Sequence, residues 1–371
     1  MVVRKARESR RARAAEKPAT PEELARRLHD AAEAGMAVFP VGGGRAGEMG
    51  DPASRQGVEL HTAALDRVLE HSQADMVVSV EAGITLESLQ AQLAKSGQFL
   101  PLDPFNSPGH TVGGLLASGW TGPLRLRYGS ARDFLIGIRV ALPDGSLASA
   151  GGRVVKNVSG YDLMKLHYGA LGTLGVIVAA SFKVFPKALH DATVSFEHES
   201  MDEVWSAAER ALGLPMAPAA LELFSSGRVV ARFLGSPEAT QRMVADLGWA
   251  KADASLWTRH SKTAPARWAR IAVPRHQLRP ILDRLGPEQS WWTSPGTGIA
   301  HWTVAGGADE VRAVRAAAEA AGGSLVVLAG PADLRRDAGA WGTPPATLHL
   351  MRRLRSAFDP NEVINPGRYV V

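Results

Sequence analysis

The sequence contains no cysteine among its 371 residues. Disulfide bonds, cysteine-ligated iron–sulfur clusters and thiolate nucleophiles are therefore excluded for this chain. If the protein carries out redox chemistry, the electrons that leave its cofactor must pass directly to an acceptor or to another chain.

The sequence also lacks an uninterrupted apolar run long enough to span a bilayer, so no transmembrane helix is predicted. Beyond its first residues it lacks net charge as well. Residues 1–17 contain seven Lys and Arg against two Glu, and this excess accounts for the whole formal charge of +5. The basicity therefore belongs to a tail, and binding of nucleic acid is not predicted.

The basic tail, residues 1–19, has no apolar central region and does not resemble a secretory signal. It is rich in arginine, as organellar transit peptides are, but it is short of serine. We expect a disordered, solvated tail, and weak contact with anionic lipid or an acidic partner is the alternative. We expect a cytoplasmic protein, with peripheral association at the inner face of the membrane as the alternative.

Glycine is concentrated in the first half of the chain, beginning directly after a predicted buried strand, Met36–Val41. A strand that runs into Gly42-Gly43-Gly44 can turn sharply and present several backbone N–H groups to an anion, so this loop is a candidate phosphate-binding nest. A merely flexible loop is the alternative. The pattern is not the G-x-G-x-x-G dinucleotide fingerprint, because Met49-Gly50-Asp51-Pro52 prevents a helix here.

Two further segments are rich in small residues. Ser107–Gly114 reads SPGHTVGG and precedes a predicted short helix, Leu115–Ser118. Arg153–Ile177 reads RVVKNVSGYDLMKLHYGALGTLGVI and closes on a β-branched run. Because glycine has no Cβ, such segments let main chain lie against a flat ligand. We expect His110, within the first segment, to be structural rather than catalytic.

Short strands and helices alternate along the first half, which favours an α+β fold over a long parallel sheet. The composition changes at about Pro186, since eight of the nine tryptophans lie beyond it. The later strand-like and helix-like segments suit an antiparallel sheet with helices on one face, as in ferredoxin-like modules. The predicted organisation is a tail (1–19), a first domain (20–190, with subdomains at about 20–100 and 101–190), a second domain (191–345) and a C-terminal return to the first domain (346–371).

These glycine segments, with the C-terminal FDPNEVINPG at 358–367, resemble the FAD-binding apparatus of the vanillyl-alcohol oxidase/p-cresol methylhydroxylase (PCMH-type) family. Within that family the whole chain is most similar to small FAD-binding (E) subunits of bacterial glycolate oxidases. The resemblance implies a two-subdomain FAD-binding domain, then a small antiparallel cap that covers the reactive side of the flavin.

The resemblance also implies which residues contact FAD: Val41, Gly42, Gly43, Gly44, Arg45, Ala46, Pro104, Thr111, Val112, Gly113, Gly114, Ser118, Gly119, Lys156, Tyr161, Gly172, Gly175, Val176, Ile177 and Asn365. Two of these have alternatives: Lys156 pairs with a phosphate or with solvent, and Asn365 bonds to the flavin or holds the turn before Pro366. Many relatives have a histidine in the first loop that bonds covalently to the flavin. Here the loop has Arg45 and no histidine, so we expect non-covalent FAD.

The substrate side carries a weaker signal. Catalytic relatives have a cap motif similar to H-x-G-D-G-N-x-H, and no such run exists here. The histidines of the second domain, at positions 198, 260, 276 and 301, are isolated, so neither a catalytic residue nor a metal site is predicted. Arg275 and Arg279 could bind a carboxylate, but we expect them on a solvated helix end.

The sequence thus has the motifs of an FAD site but not those of a substrate site, which favours an FAD-binding subunit of a glycolate oxidase-like complex. The expected partners are a sister FAD-linked oxidase subunit and an iron–sulfur subunit, and the expected substrate is a small 2-hydroxy acid. A stand-alone FAD-dependent alcohol or hydroxy-acid oxidoreductase and a flavin-free scaffold are the alternatives. We expect the isolated chain to bind FAD, to oxidise glycolate or D-lactate negligibly and to gain activity only in a hetero-oligomer. The tryptophans of the second domain suggest an aromatic protein interface, and core packing is the alternative.

Overall fold

The computed structural model describes residues 15–105, 108–152, 162–262 and 264–371, so the tail up to residue 14, Lys156 and Tyr161 lie outside the described residues. The helices are α1 (Pro21–Glu33), α2 (Leu86–Ala94), α3 (Val112–Ser118), α4 (Arg125–Tyr128), α5 (Ala131–Phe134), α6 (Met164–His167), α7 (Met201–Leu212), α8 (Pro237–Leu247), α9 (Ser255–Lys262), α10 (Arg275–Leu282), α11 (Ala308–Ala320), α12 (Ala332–Ala338) and α13 (Leu348–Phe358).

The strands of the first half are β1 (Ala15–Glu16), β2 (Ala37–Val41), β3 (Gly57–His61), β4 (Val68–Ser72), β5 (Val77–Glu81), β6 (Gln98–Phe99), β7 (Leu135–Ala141), β8 (Leu147–Gly151), β9 (Val176–Lys183) and β10 (Phe185–Pro186). The strands of the second half are β11 (His190–Glu197), β12 (Ala220–Phe224), β13 (Arg228–Gly235), β14 (Ala250–Lys251), β15 (Trp268–Ala272), β16 (Trp291–Ser294), β17 (Ile299–Thr303) and β18 (Ser324–Ala329).

Two sheets organise the first half of the chain. A small parallel sheet has the order β1-β3-β2, and a five-stranded antiparallel sheet has the order β4-β5-β9-β7-β8. Ala15 and Glu16 pair with β3, so these two residues belong to the sheet although the sequence assigned them to the tail. The mixture of sheets and short helices confirms the predicted α+β class.

The first helix forms where its capping residues predicted it. The Thr20 hydroxyl accepts a hydrogen bond from the Glu23 N–H at 3.1 Å and Pro21 occupies the first helical position, an arrangement that stabilises a helix by about 1 kcal/mol. The buried face of α1 packs in the same core as Val363 and Ile364 from the C-terminus. The first helix therefore depends on the end of the chain for its packing.

The C-terminal segment returns to the first half of the chain and lies beside β2. The Val38 N–H donates to the Val363 carbonyl at 2.8 Å, and the Asn365 N–H donates to the Val38 carbonyl at 2.9 Å. The preceding α13 is less buried than its amphipathic pattern indicates: Leu350 and Leu354 are 46% and 36% exposed. Within the described residues, no helix is both long enough and apolar enough to cross a membrane.

The second half forms one eight-stranded antiparallel sheet with the order β14-β11-β13-β12-β16-β17-β15-β18. Its first four strands and its last four strands each form a β-α-β-β-α-β unit with the strand order of a ferredoxin-like module. The two modules join edge to edge where β12 pairs with β16. The ferredoxin-like prediction is therefore confirmed, with two modules sharing one sheet.

Three strands of this sheet were not predicted from the sequence: the two-residue β14, and β15 and β16, which lie inside the sheet. In β15, the side chains of Ala269 and Ile271 face the helix layer, while those of Trp268 and Arg270 face the opposite side, towards the first half of the chain. Because both faces of β15 and β16 are covered, they lack the alternation of apolar and polar residues that identifies a half-exposed strand.

The expectation of an aromatic interface on the second domain is wrong. Seven of its tryptophans are buried in the core: Trp205, Trp249, Trp257, Trp268, Trp291, Trp292 and Trp302. A large indole surface gains more from burial inside the sheet layers than any other side chain, so the core-packing alternative holds. Trp341 is partly buried, and its indole N–H donates to the Arg368 carbonyl at 3.0 Å.

The segment before residue 106 fills the space between the two halves. The ring of Phe105 lies 6.1 Å from that of Trp268 and 5.4 Å from that of Trp292, both on the eight-stranded sheet. The Asp103 carboxylate accepts the Leu124 N–H at 3.1 Å. Burial raises the pKa of Asp103 to about 8, although the Leu124 N–H and the Arg232 cation favour its charged form. Asp103 is therefore mostly protonated at neutral pH.

This carboxyl predicts how stability depends on pH. The folded protein holds the Asp103 proton up to about pH 8, whereas an unfolded aspartate releases it near pH 4, so the free energy of unfolding falls as pH rises through this interval. Burial lowers the pKa of His110 and His167 to about 4. These two histidines make the free energy of unfolding rise with pH, but only below about pH 6.5, where an unfolded histidine becomes protonated. We therefore expect Asp103→Asn to reduce the fall in Tm between about pH 7 and about pH 8.5.

Asp144→Asn is the matched control. Hydrogen bonds from Ser146 hold the pKa of Asp144 below its usual range, so this carboxylate is charged in both states across the same interval. The control should keep the wild-type slope of Tm against pH. An unchanged slope in Asp103→Asn would contradict a protonated Asp103.

Candidate functional site

A groove of about 670 Å³ opens where β2 ends. Its walls come from the loop after β2, the segment 51–56, the start of α3, and residues from the last part of the chain. The volume lies within the usual range for small-molecule and cofactor sites. The groove is therefore the candidate binding site, and residues far apart in sequence form it.

The glycine loop is packed tightly against the second glycine segment. A Cβ added to Gly42 would lie 2.1 Å from the Thr111 hydroxyl oxygen, and a Cβ added to Gly43 would lie 1.7 Å from the Gly109 carbonyl oxygen. Gly44 has a φ of +70°, which L side chains rarely adopt. Each glycine is therefore required by a close approach or by its backbone conformation.

The threonine of the second segment begins α3 beside this loop. The Thr111 hydroxyl accepts a hydrogen bond from the Gly114 N–H at 3.2 Å, and α3 ends at Gly119 in the left-handed conformation. Thr111, Gly114 and Ser118 line the groove, whereas Val112 and Gly113 face the core and the backbone of Ala82. The helix therefore turns one face, with residues three or four positions apart, towards the groove.

Basic side chains surround the loop. Arg368 Nη2 donates to the carbonyls of Ala46, Gly47 and Met49 at 3.1, 3.0 and 2.8 Å, and Arg335 Nη1 donates to the Gly50 carbonyl at 2.8 Å. Arg45 is exposed, and its guanidinium lies over Gly109. The first two arginines hold the loop in shape, and all three place positive charge beside it.

His110 lines the groove but is neutral. Its Nε2 lies 3.2 Å from the Phe105 carbonyl oxygen, which can only accept, so Nε2 carries the proton. Burial lowers the pKa of His110 to about 4, and the nearby Arg45 cation lowers it further. A neutral, hydrogen-bonded imidazole in this position agrees with the structural role that we expected.

The structure brings together many of the residues predicted to contact the cofactor. Those that line the groove are Val41, Gly42, Gly43, Gly44, Arg45, Ala46, Thr111, Gly114, Ser118 and Asn365. The described residues that do not line it are Pro104, Val112, Gly113, Gly119, Gly172, Gly175, Val176 and Ile177. Val176 and Ile177 are buried in β9, and Gly172 lies beside Asn365.

Asn365 has a structural role as well as a place at the groove. It has a φ of +47°, and its Nδ2 donates to the Leu171 carbonyl at 2.6 Å. The Arg368 N–H donates to the Asn365 carbonyl at 3.2 Å and closes the turn. This geometry favours the turn-holding alternative for Asn365.

Sequence reasoning missed several residues that line the groove. These are Glu48, Asp51, Ser54, Arg55, Glu59, Ala117, Leu171, Arg335 and Arg368. No local pattern marks Arg335 or Arg368, because each reaches the groove only through the packing of the C-terminal part on residues 46–50. The basic character of the NPGR turn at 365–368 was the one available signal.

An FAD molecule fits these features. The backbone N–H groups of the glycine loop are not covered by side chains, and Arg45, Arg335 and Arg368 lie around the loop. The groove volume of about 670 Å³ is large enough for part of a dinucleotide. Residues 12–151 match the family model described as an FAD-binding domain. This region is therefore similar to PCMH-type FAD-binding domains. When bound, FAD supplies a two-electron oxidant, and the protein supplies binding, orientation and electrostatics.

Known proteins resemble the chain beyond this domain. The glycolate oxidase subunit GlcE of Escherichia coli is 29% identical over 312 residues, which cover 81% of this chain and 84% of GlcE. An uncharacterised FAD-linked oxidoreductase of Mycobacterium tuberculosis is 32% identical over 217 residues, which cover 58% of this chain and 47% of that protein. The chain thus spans about half the length of the mycobacterial relative.

A solved structure shows the same fold over nearly the whole chain. Alkyldihydroxyacetonephosphate synthase superposes with a TM-score of 0.70 at 18% sequence identity, covering 95% of this chain and 75% of that one. At this identity the likeness establishes the fold alone. The superposition extends over the eight-stranded sheet, and this sheet with its helices is called the cap below, after the expectation from the sequence.

A second polar region lies beyond the end of the FAD groove, where the cap meets the FAD-binding domain. The Tyr168 hydroxyl donates to the Gly119 carbonyl at 3.3 Å, next to the groove residue Ser118. Burial raises the pKa of Tyr168, and the cations of Arg125 and Arg270 oppose this increase. Tyr168 therefore lies near one arginine from the FAD-binding domain and one from the cap strand β15.

Both arginines lack an ion-pair partner among the described residues. Burial lowers the pKa of Arg270, and the charge of Arg125 lowers it further, so the two cations are close enough to repel each other. Arg270 nevertheless retains accessible surface. Adjacent, unpaired and partly buried arginines form a site suited to an anion, and a carboxylate is the simplest such ligand.

The glycine loop gives a direct test of FAD binding. In Gly43→Ala the added methyl group meets the Gly109 carbonyl at 1.7 Å, so the loop must move away from the second glycine segment. We expect the purified variant to contain at least about tenfold less FAD per chain than wild type, measured by absorbance, because the uncovered main chain is lost.

Gly213→Ala is the control, since its Cβ would make only ordinary contacts of 3.5 and 3.6 Å. This variant should keep the wild-type FAD content. A folded Gly43→Ala protein with one FAD per chain would show that the loop does not hold the cofactor. Absence of a covalent link to FAD stays a prediction.

Proposed function

We propose that this chain is the FAD-binding subunit of a glycolate oxidase-like complex that oxidises a small 2-hydroxy acid, such as glycolate to glyoxylate. The proposed partners are a sister FAD-linked oxidase subunit and an iron–sulfur subunit that receives the electrons. GlcE, named as a glycolate oxidase subunit, matches most of this chain and supports the proposal.

The observation that carries the proposal is the arginine pair beside the groove. A 2-hydroxy acid presents a carboxylate, and Arg125 and Arg270 are two cations without carboxylate partners among the residues described. Charge-assisted hydrogen bonds from arginine are strong and directional, so they would fix the acid relative to the flavin. A neutral alcohol would leave both cations unpaired.

Aromatic side chains enclose this region on the cap side. Phe105 packs edge to face on Trp268 and Trp292, whose two rings are tilted by 33° to each other, and the ring centroids lie 5.4 to 6.1 Å apart. Such a layer excludes water and strengthens electrostatic interactions within the site. The chain's own residues therefore serve to bind a small anion, to orient it and to keep bulk water away from it.

The proposal of a complex rests on the route of the electrons. The chain has no cysteine, so it cannot ligate an iron–sulfur cluster through thiolates. Electrons from reduced FAD would leave to another subunit. A stand-alone oxidoreductase is the second candidate, and it is favoured by the presence of an anion site within this chain itself.

The role of the arginines can be tested on the isolated chain. We expect anaerobic mixing with glycolate to bleach the bound FAD once, because no acceptor removes the electrons. In air, with O2 as the sole acceptor and no partner subunit, steady-state turnover should stay below about 1 per second. Arg270→Ala should slow the bleaching at least about tenfold, because the carboxylate loses a charge-assisted hydrogen bond.

Arg279→Ala is the matched control, because Arg279 is exposed on the same domain and pairs with Asp202. It should bleach at the wild-type rate. Failure of glycolate and of D-lactate to reduce the flavin, alone or with the partner subunits, would exclude the proposed reaction. Sustained turnover by the isolated chain in air, with O2 as the acceptor and no partner subunit, would favour the stand-alone enzyme.

A further inference from the structure

The helix α13 exposes an apolar stripe along one side. Leu350 and Leu354 are 46% and 36% exposed, and they lie one helical turn apart, with Phe358 one turn further along the same side. Among the described residues, only six large hydrophobic side chains are exposed. Two of these six therefore stand next to each other on one helix.

A neighbouring segment of the first half extends this stripe. The ring of His167, at the end of α6, lies 5.7 Å from the ring of Phe358. Leu163 precedes His167 by one helical turn, so it lies on the same side of α6, and it is 47% exposed. Leu163, Leu350 and Leu354 thus belong to one apolar region, which is called the α6–α13 surface here.

The charged residues of α13 are all basic. Its sequence, LHLMRRLRSAF, contains no acidic residue, and Arg352 and Arg353 are exposed. No carboxylate within the described part of the chain pairs with either guanidinium. Asp359, directly after the helix, is buried and accepts two backbone N–H groups at 3.0 and 2.8 Å, and Asp162 pairs with Lys165. Positive charge beside the leucines therefore stays uncompensated.

The opposite side of α13 is anchored to the protein. Arg355 is the one buried residue of the helix, and its guanidinium donates to the Val371 carbonyl. The Asp359 N–H donates to the Arg355 carbonyl at 2.7 Å and closes the last turn. Because these contacts fix the packed side of the helix, Leu350 and Leu354 stay on the outside.

The size and the charge of the α6–α13 surface decide what fits it. The exposed parts of three leucines fall far below the roughly 800 Å² that each partner buries in a stable protein interface. A second copy of the chain would bring the same arginines against this surface, and like charges repel. An anionic bilayer takes up a few apolar side chains below its headgroups, and its phosphates pair with arginines.

We propose that the α6–α13 surface binds the face of a membrane that contains anionic lipids. Leu163, Leu350 and Leu354 enter the boundary between headgroups and acyl chains, and Arg352 and Arg353 contact the lipid phosphates. The contact is peripheral, because α13 lies along the surface of the bilayer and keeps its packed side on the protein. This interaction is independent of the substrate and of the proposed partner subunits.

Sedimentation of the FAD-loaded full chain with lipid vesicles tests the contact. Vesicles of equal parts phosphatidylcholine and phosphatidylglycerol should bind wild type at least about tenfold more tightly than vesicles of phosphatidylcholine alone. Leu350→Ser combined with Leu354→Ser should weaken binding to the anionic vesicles at least about fivefold, because two inserted side chains are lost. Arg352→Gln combined with Arg353→Gln should weaken it at least about fivefold at low salt and less at high salt, which screens the arginines.

Matched controls remove the same kinds of side chain elsewhere. Leu189 is 86% exposed on the link between β10 and β11, so Leu189→Ser should bind like wild type. Arg210→Gln combined with Arg284→Gln removes the same charge from exposed positions of the cap and should weaken binding less than about twofold. The basic residues 1–17 are present in every variant and contribute equally. All variants should keep the wild-type FAD content and Tm.

A dye reports the insertion directly. Because the chain has no cysteine, Leu354→Cys takes up a single environment-sensitive dye, and its emission should move to shorter wavelength when anionic vesicles are added. The same dye on Leu189→Cys should not respond.

The remaining outcomes overturn the lipid contact. If the α13 variants bind anionic vesicles as wild type does, or if the dye on Leu354→Cys does not respond, this surface does not meet the bilayer. A response without vesicles that grows with protein concentration would assign the surface to a contact between copies of the chain. A response only to another protein would assign it to a protein interface.

Discussion

The contact on which the site depends is the packing of Gly42 and Gly43 against Gly109 and Thr111. The loop after β2 approaches the second glycine segment so closely that no side chain fits between them. This contact fixes the uncovered main chain of both segments on one side of the groove. The C-terminal turn holds the other side of the loop through Arg368, so three distant parts of the chain form the walls of one groove.

The second constraint is charge in the layer between the cap and the FAD-binding domain. Burial raises the pKa of Asp103 and Glu222 there, and it lowers the pKa of Arg270 and His301. Burial thus favours the neutral forms of the enclosed carboxyl and imidazole groups, while Arg125 and Arg270 remain as cations without a carboxylate partner among the described residues. A small anion that enters there would supply the missing partner of the two arginines.

Local patterns in the sequence predicted much of the fold. Thr20 and Pro21 marked the start of α1, the strand before Gly42 led to the glycine loop, and the alternating segments of the second half predicted a ferredoxin-like arrangement. Each of these features depends on residues close together in the chain. The duplication of the module was not predicted, because β15 and β16 are covered on both faces and carry no periodic signal.

The parts of the site that the sequence did not reveal depend on contacts between distant residues. Arg335 and Arg368 reach the glycine loop only after the C-terminal part has packed, and Arg125 approaches Arg270 only across the interface between cap and FAD-binding domain. Outside the site, His260 and Glu222 likewise lie on different elements and meet only where α9 covers β12. The tryptophans gave a misleading signal, since composition alone does not separate a core from an interface.

A crystal structure of the protein with FAD bound tests the central claim most directly. The account predicts the pyrophosphate of FAD within hydrogen-bonding distance of the backbone N–H groups of the Gly42–Ala46 loop. It also predicts the flavin ring at the end of the groove that faces Tyr168 and Arg270. A pyrophosphate bound elsewhere, or a flavin ring at the opposite end from the arginines, would contradict it.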